Sequence, residues 1–338
     1  MIDFRSDTVT KPTDAMRKAM FDAAVGDDVY EDDLTIKELE RLAATLTGKV
    51  AALFVPSGTM GNQIAIMTHT ERGDEIIVGK SSHIKTYEVG AAAVLSNVSY
   101  QVVNEIRGAL DPEEVQKGIR GEDIHYPRTS LICMENAHGS GVVSSLESMQ
   151  AIHDIAKKHG IHTHLDGARL FNAAVHLNVT PQEIARYTDS VMFCLSKGLS
   201  SPIGSILAGS KTFIHRARKY RKMLGGGMRQ VGVLGAPGLL ALKEMTKRLC
   251  IDHENAQYLA QKLDGFKAFD VDFDSLDINM VFVKTSLDRD DVAQHMKKQH
   301  IILGGYKDEY MRLVCHNDIT RRDIDTFIEA IHTYLRMD

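Results

Sequence analysis

The residue type best placed for chemistry is Lys197, which follows the apolar run Val191-Met192-Phe193-Cys194-Leu195 and Ser196. Lysine is rarely buried without a partner or a task. At the end of a buried strand its amine can attack a carbonyl carbon. The plainer reading is a lysine that snorkels into water past the strand end. A second feature is His162-Thr163-His164-Leu165-Asp166, in which alternate residues share one face of a strand. It reads as a metal set of His162, His164 and Asp166. It also reads as a single working carboxylate, Asp166, at the strand's C-terminal end, where open α/β sheets hold ligands. The two histidines can equally be packed or solvated with no further role.

Two anion-binding candidates accompany them. Pro56-Ser57-Gly58-Thr59-Met60-Gly61-Asn62 lies between an apolar strand and a helix. A small-residue turn there turns backbone N–H groups and the positive end of a helix dipole toward a phosphate, although ordinary strand–helix turns look similar. Arg216 to Arg229 reads RARKYRKMLGGGMR, a basic helix ending in three glycines. Its charge pattern suits a solvated face as well as an anion site. Together Lys197, Asp166 and Ser57-Gly58-Thr59 fit one small molecule. Pyridoxal phosphate needs an amine for its aldehyde, a carboxylate for its ring nitrogen and a cradle for its phosphate. Other signatures are missing: no G-x-G-x-x-G follows a strand, and there is no Walker A loop, G-x-S-x-G elbow or H-E-x-x-H.

The elements that must position these residues alternate along the chain. Thr35-x-x-Glu38 predicts a capping box for a helix that Gly48 stops. Strands are expected at 50–55, 75–78, 129–134, 161–165, 190–195 and 205–208. Helices are expected from Ser57-Gly58-Thr59 to about Thr70, from Asp111-Pro112 onward, over 146–158, from Thr180-Pro181 onward and over 210–224. Such alternation indicates a mostly parallel sheet covered on both faces. After residue 247 the pattern changes. Helices near 252–263, 288–299 and 320–337, with strands at 279–284 and 311–316, predict a smaller α+β unit. The expected division is 1–247, with an N-terminal arm, and 248–338.

With 338 residues, 43% of them hydrophobic and 25% charged, the chain has the composition of a soluble globular protein of about two domains. A net charge of −5 lacks the basic footprint of a nucleic-acid binder. Cys133, Cys194, Cys250 and Cys315 are widely spaced, which points to reduced thiols and a cytoplasmic location. No signal-peptide pattern or membrane-length apolar run is visible.

At this point the sequence resembles the low-specificity and allo-type L-threonine aldolases of the aspartate-aminotransferase-like superfamily, over nearly the whole chain. The matching stretches are Phe4 to Thr10, Val25 to Tyr30, Phe54 to Met60, His83 with Tyr87-Glu88, Asp166 to Arg169, Cys194 to Gly198, and Lys222 to Gln230. The resemblance implies fold type I of the pyridoxal-phosphate enzymes: a large domain with a mostly parallel seven-stranded sheet plus a small C-terminal α+β domain. It implies that Lys197 carries the cofactor as a Schiff base, Asp166 pairs with the ring nitrogen and His83 stacks on the ring. Ser57, Gly58 and Thr59 would bind the phosphate, and Arg169 would lie near the ring oxygen and the substrate carboxylate. Ser6 and Arg312 would help hold that carboxylate, with Tyr87 and Lys222 also in the substrate site. His83 and His125 would serve the β-hydroxyl, and Lys222 and Arg229 would come from a neighbouring subunit of a homotetramer, a dimer of dimers. No metal is implied.

The implied reaction is reversible cleavage of L-threonine or L-allo-threonine to glycine and an aldehyde. A β-eliminating lyase of the same fold and a metal-dependent hydrolase using His162, His164 and Asp166 are the alternatives. The sequence departs from the family pattern at Tyr30-Glu31-Asp32-Asp33, where Tyr-Gly-Glu-Asp is usual, so altered turn geometry is expected there. It departs again at Glu135-Asn136-Ala137-His138-Gly139, and at His162.

Overall fold

The computed structural model describes residues 1–307 and 309–336. The chain opens with β1 (Ile2–Asp3), then α1 (Asp14–Phe21) and α2 (Leu34–Thr47). The alternating part follows: β2 (Ala51–Val55), α3 (Gly58–His69), β3 (Glu75–Gly79), β4 (Ser99–Val103), α4 (Pro112–Gly118), β5 (Thr129–Glu135), α5 (Leu146–His159), β6 (His162–Asp166), α6 (Leu170–Leu177), α7 (Pro181–Ala185), β7 (Ser190–Cys194), β8 (Ser205–Gly209), α8 (Lys211–Met223) and α9 (Gly232–Lys243).

The larger sheet has seven strands in the order β2-β8-β7-β6-β5-β3-β4. β3, β4, β5, β6 and β7 pair in parallel, and β8 runs antiparallel to both β2 and β7. β2 therefore points the same way as the parallel set. β3, β7 and β8 are buried at every residue, as strands covered on both faces must be. Phe54 and Phe193 pack with Leu39 and Leu165 on one face. Val55, Met192 and Leu207 pack with Ile64 and Phe213 on the other.

Caps fix where the helices begin and end. Ser57 starts α3 by accepting from Met60 N–H, Ser145 starts α5 by accepting from Ser148 N–H, and Gly160 closes α5 at φ 66. α7 has the capping box expected at Thr180 and Glu183. α2 begins two residues earlier than its Thr35-x-x-Glu38 pattern predicts. Asp33 is its cap and accepts from Ile36 N–H, while the Thr35 hydroxyl donates to the Ala24 carbonyl. The turn before it keeps the geometry a glycine would give: Glu31 takes φ 58. A side chain in that left-handed region carries backbone strain.

Past α9 the second unit contains α10 (Leu249–Asp264), β9 (Phe269–Val271), β10 (Met280–Thr285), α11 (Arg289–Lys298), β11 (Ile301–Ile302), β12 (Tyr306–Lys307), β13 (Tyr310–Val314) and α12 (Arg321–Leu335). Its sheet has the order β9-β10-β13-β12 and is antiparallel throughout. Thr320 and Asp323 form a capping box on α12; Met337, to which this helix was expected to reach, lies outside the described residues. The start of the chain packs here. β1 pairs in parallel with β11, and the Phe4 ring lies 5.1 Å from that of Phe327. Ile2 and Phe4 thus sit in the second core, where the sequence reading assigned the arm to residues 1–247. We propose 247/248 as the boundary for the remainder. Among the described residues no helix is long and apolar enough to cross a membrane.

Candidate active site

Because β2, β3, β5, β6 and β7 share one direction, their C-terminal ends meet at one rim of the sheet. Asp166 is the last residue of β6 and is level with Glu135 on β5 and Met192 on β7. Beyond β7 the chain runs Leu195-Ser196-Lys197. Beyond β2 it turns through Pro56 into α3, whose first turn carries Gly58 and Thr59. Beyond β3 lies His83. A cavity of about 150 Å³ at this rim is lined by Ser57, Gly58, Thr59, His83, Asp166 and Lys197, among others. The sequence-predicted core of the site is thus brought together.

The cavity is rigidly framed. A Cβ at Gly58 would lie 3.0 Å from Cys194 Sγ, so glycine lets the turn pack this close to β7 without displacing that side chain. The carbonyl of Lys197 accepts from Thr10 Oγ1 at 2.9 Å. Asp166 Oδ1 accepts from Ala168 N–H at 3.1 Å, and its Oδ2 accepts from Asn62 Nδ2 at 2.8 Å. Asn62 Nδ2 also donates to Glu88 Oε1 at 2.7 Å. Glu88 in turn accepts from Gln63 Nε2 at 2.6 Å and contacts His83 Nδ1 at 2.8 Å. A carboxylate offers only acceptors, so His83 Nδ1 carries the proton and Nε2 is the ring's basic atom. The Glu88 hydrogen bond, against burial, raises the His83 pKa above its ordinary value. The Tyr87 ring lies 5.6 Å from that of His83. His83 N–H donates to Glu135 Oε2 at 2.8 Å, so the unusual 135–139 segment does touch the site.

A second group of residues approaches from the chain start and the small unit. Arg169 is buried, and its Nε and Nη2 donate to Asp7 Oδ2 and Oδ1 at 2.8 and 2.7 Å. Burial alone would raise the Asp7 pKa, but the Arg169 charge and hydrogen bonds overcome it and hold the carboxyl at about 2. Arg169 thus spends its Nε–Nη2 edge on Asp7, and its Nη1 takes no part in that pair. Arg312 is half-buried and donates from Nη2 to the Arg5 carbonyl at 3.3 Å. Ser6 Oγ accepts from Thr8 N–H at 3.2 Å. Burial, reinforced by the Arg169 charge, lowers the Arg312 pKa.

Three sequence-predicted residues are not among those that line the cavity of their own chain. His125 is on an exposed loop leading into the start of β5, at the opposite rim, and its Nδ1 is 2.6 Å from Asp123 Oδ1. Lys222 is exposed near the end of α8. Arg229 is half-exposed and pairs with Asp27 Oδ2 at 3.0 Å.

His162, His164 and Asp166 do not converge. His162 is exposed and pairs with Asp189 at 3.5 Å. His164 is buried, with Asn62 between it and Asp166. Among the described residues the group with ligand atoms within 4.8 Å of one another is His83, Glu88 and Asp166. Between its two carboxylates sits the Asn62 amide, which donates to both. A larger basin of about 780 Å³ opens at the other rim, lined by Arg120, Arg128, His69 and His162 among others. No lysine lines it, and the N-terminus of α3 does not face it.

Asn62, Glu88, Asp7 and Glu135 are the site residues that sequence reasoning did not assign. Glu88 and Asp7 fall within matching stretches, but nothing in their spacing marks them. Asn62 sits one turn past the phosphate-type turn and is the one that a helical projection from Gly58 could have found.

The cavity suits pyridoxal phosphate: an amine, a carboxylate at a strand end and a 12-residue helix opening with Ser-Gly-Thr surround one space. Comparison with known proteins agrees. Residues 3–286 match the beta-eliminating lyase family. Low-specificity L-threonine aldolase 1 of Arabidopsis thaliana is 43% identical, covering 96% of this chain and 93% of that one. The low specificity L-threonine aldolase of Escherichia coli K12 is 42% identical, covering 96% of each. The threonine aldolase structure from Leishmania major superposes with a TM-score of 0.83 at 21% identity, covering 99% of each chain. The fold is that of the type I pyridoxal-phosphate enzymes, and that cofactor goes with it. On sequence and fold together, the chain belongs to the beta-eliminating lyases, among the low-specificity L-threonine aldolases.

Proposed function

We propose that the protein cleaves L-threonine, L-allo-threonine and related β-hydroxy-α-amino acids reversibly to glycine and an aldehyde, with Lys197 as the residue that holds the cofactor. The observation that carries this is the meeting of Lys197, Asp166 and the start of α3 around one cavity. When bound, pyridoxal phosphate supplies an aldehyde carbon for amines and an electron-poor ring that takes up the pair left by Cα–Cβ cleavage.

The chain's own residues do the rest. Ser57, Gly58 and Thr59 direct N–H groups and a helix dipole at the phosphate. Asp166 would meet the ring nitrogen and His83 would lie against the ring when the cofactor is bound. Arg312, with Ser6, holds the substrate carboxylate in charge-assisted hydrogen bonds. Arg169 holds Asp7 and the chain start beside Arg312 through its Nε–Nη2 edge, and its Nη1 would serve the ring oxygen and the substrate carboxylate. His83 Nε2 takes the β-hydroxyl proton as the aldehyde leaves, with the imidazolium balanced by Glu88 at Nδ1. His125, Lys222 and Arg229 act from a neighbouring copy in a cytoplasmic homotetramer with shared sites. None of the three is among the residues lining the cavity of its own chain, which supports that reading.

The test is a visible spectrum of the purified protein, followed by titration with L-threonine and L-allo-threonine. Release of glycine and acetaldehyde is expected. The family match keeps β-elimination as the second reading, and release of pyruvate and ammonia instead would establish it and refute the aldolase reading.

A further inference from the structure

Asn62 also reaches away from the cavity. Its Oδ1 is 3.0 Å from His164 Nε2, and His164 Nδ1 is 2.9 Å from Ser190 Oγ. Ser190 Oγ is 2.8 Å from His69 Nε2. His69 ends α3 at the opposite rim and lines the larger basin. A continuous polar path thus runs from rim to rim through α3, β6 and β7.

The direction of every proton along it follows from counting. Asn62 Nδ2 faces two carboxylates, so it donates to both and Oδ1 must accept. His164 Nε2 must then carry a proton. Burial holds His164 at a pKa of about 4, against the Asp166 charge and the Ser190 backbone, so the ring is neutral and Nδ1 is bare. Ser190 must donate to that bare nitrogen, which leaves its oxygen to accept from His69 Nε2–H. His69 is also neutral: burial first, then His164, His162 and Arg216, opposed by Asp189, bring it to about 3. No other arrangement satisfies every atom, and buried polar groups left without partners are costly.

We propose that His69, Ser190 and His164 are positioning residues which, through Asn62, form a one-way chain of hydrogen-bond donors fixing the Asp166 carboxylate against the cofactor ring. Donors aligned in one sense polarise one another. The chain therefore sets both the orientation of Asp166 and the charge it presents to the ring nitrogen. The inference rests on the assignment of Asp166 to the ring nitrogen.

The first test needs no cofactor: solid-state ¹⁵N NMR of the histidine-labelled full-length apoprotein, with the His164 signals identified by their loss in His164→Gln. A protonated Nε2 and bare Nδ1 are expected; a protonated Nδ1 overturns the chain. The second uses the holoenzyme. Ser190→Ala should keep its cofactor but move the visible absorption maximum, and lower kcat about tenfold with little change in KM, the scale of loss when the partner behind a ligating group is removed. His69→Phe, at the accessible end, should shift the spectrum the same way, whereas His69→Gln, which keeps an N–H donor, should restore most of it. Parental spectra and kcat in Ser190→Ala and His69→Phe would refute the proposal. Lys197→Ala separates the two ideas: if it loses the visible band while these variants match the parent, only the relay fails. If it keeps the band, the cofactor reading fails as well.

Discussion

The two rims of the larger sheet differ in what their cavities can do. At the N-terminal rim a basin of about 780 Å³ gathers Arg120, Arg128, His69 and His162. At the C-terminal rim a cavity of about 150 Å³ gathers Lys197, Asp166, His83 and the start of α3. Size favours the first and chemistry the second. The reason is strand direction. Each parallel strand delivers its chain to the C-terminal rim, where the following helix begins, so N–H groups and positive helix ends collect on that side. At the other rim Arg120 and Arg128 are already answered by carboxylates, Glu75 at 3.0 Å and Asp74 at 2.7 Å. They are built into the edge of the sheet.

The sharpest way to break this contrast is Lys197→Ala. We expect turnover to fall below detection and the visible band of bound cofactor to vanish, measured by glycine release and by spectrum. Arg128→Ala at the other rim should leave both intact. If activity survives the first change or is lost in the second, the working rim has been misassigned.

The next effect tests how the small unit is tied to the C-terminal rim. Asp7→Asn leaves the Arg169 charge buried without its partner, which costs on the order of 3–5 kcal/mol. The folded Asp7 value of about 2 lies below the ordinary 3.8. The pair therefore contributes fully above pH 3.8, and that contribution is lost as pH falls towards 2. Urea midpoints should drop in the variant at neutral pH, and the gap from the parent should close through this acid window. A gap that persists unchanged at pH 2 would mean the pair does not carry that stability.

These two cases mark what a sequence can and cannot declare. Lys197, Asp166 and the Ser57 turn were legible because each follows a strand or opens a helix, and local pattern reports that. The Asp7–Arg169 pair spans 162 positions, so only the folded chain shows that one edge of Arg169 is spent on Asp7. α9 was hidden for a different reason. Its glycines and Pro237 argue against a helix, yet a Cβ at Gly238 would come within 2.9 Å of Leu39 Cδ2. There glycine serves close packing on α2, and tertiary contact overrides propensity. β1 was missed because two residues carry no periodicity. Its strand exists only through pairing with β11.

A smaller effect belongs to Arg312, whose described hydrogen bond goes to the Arg5 carbonyl rather than to a carboxylate. Arg312→Lys keeps the charge but loses the planar fork. Losing one charge-assisted hydrogen bond is worth about 1.5–3 kcal/mol. The KM for L-threonine should rise by about one to two orders of magnitude, with kcat less affected. A fall in kcat at unchanged KM would instead place Arg312 among groups that act only in the transition state.

The smallest effect distinguishes the rims again. His125 sits on the exposed loop before β5, not among the residues lining its own cavity, with Asp123 as its partner. His125→Ala should therefore change stability by no more than about 0.5 kcal/mol and leave the cofactor spectrum as it is. If that loop reaches a neighbouring copy's site, the ratio of activity on L-threonine to L-allo-threonine will shift while cofactor content does not. The same geometry makes a mixing experiment decisive: an Arg229→Ala chain combined with a Lys197→Ala chain should regain activity, because each mixed pair can hold one site with both residues intact. No gain on mixing, together with an unchanged substrate ratio, would confine each site to a single chain and leave the N-terminal rim without a part in catalysis.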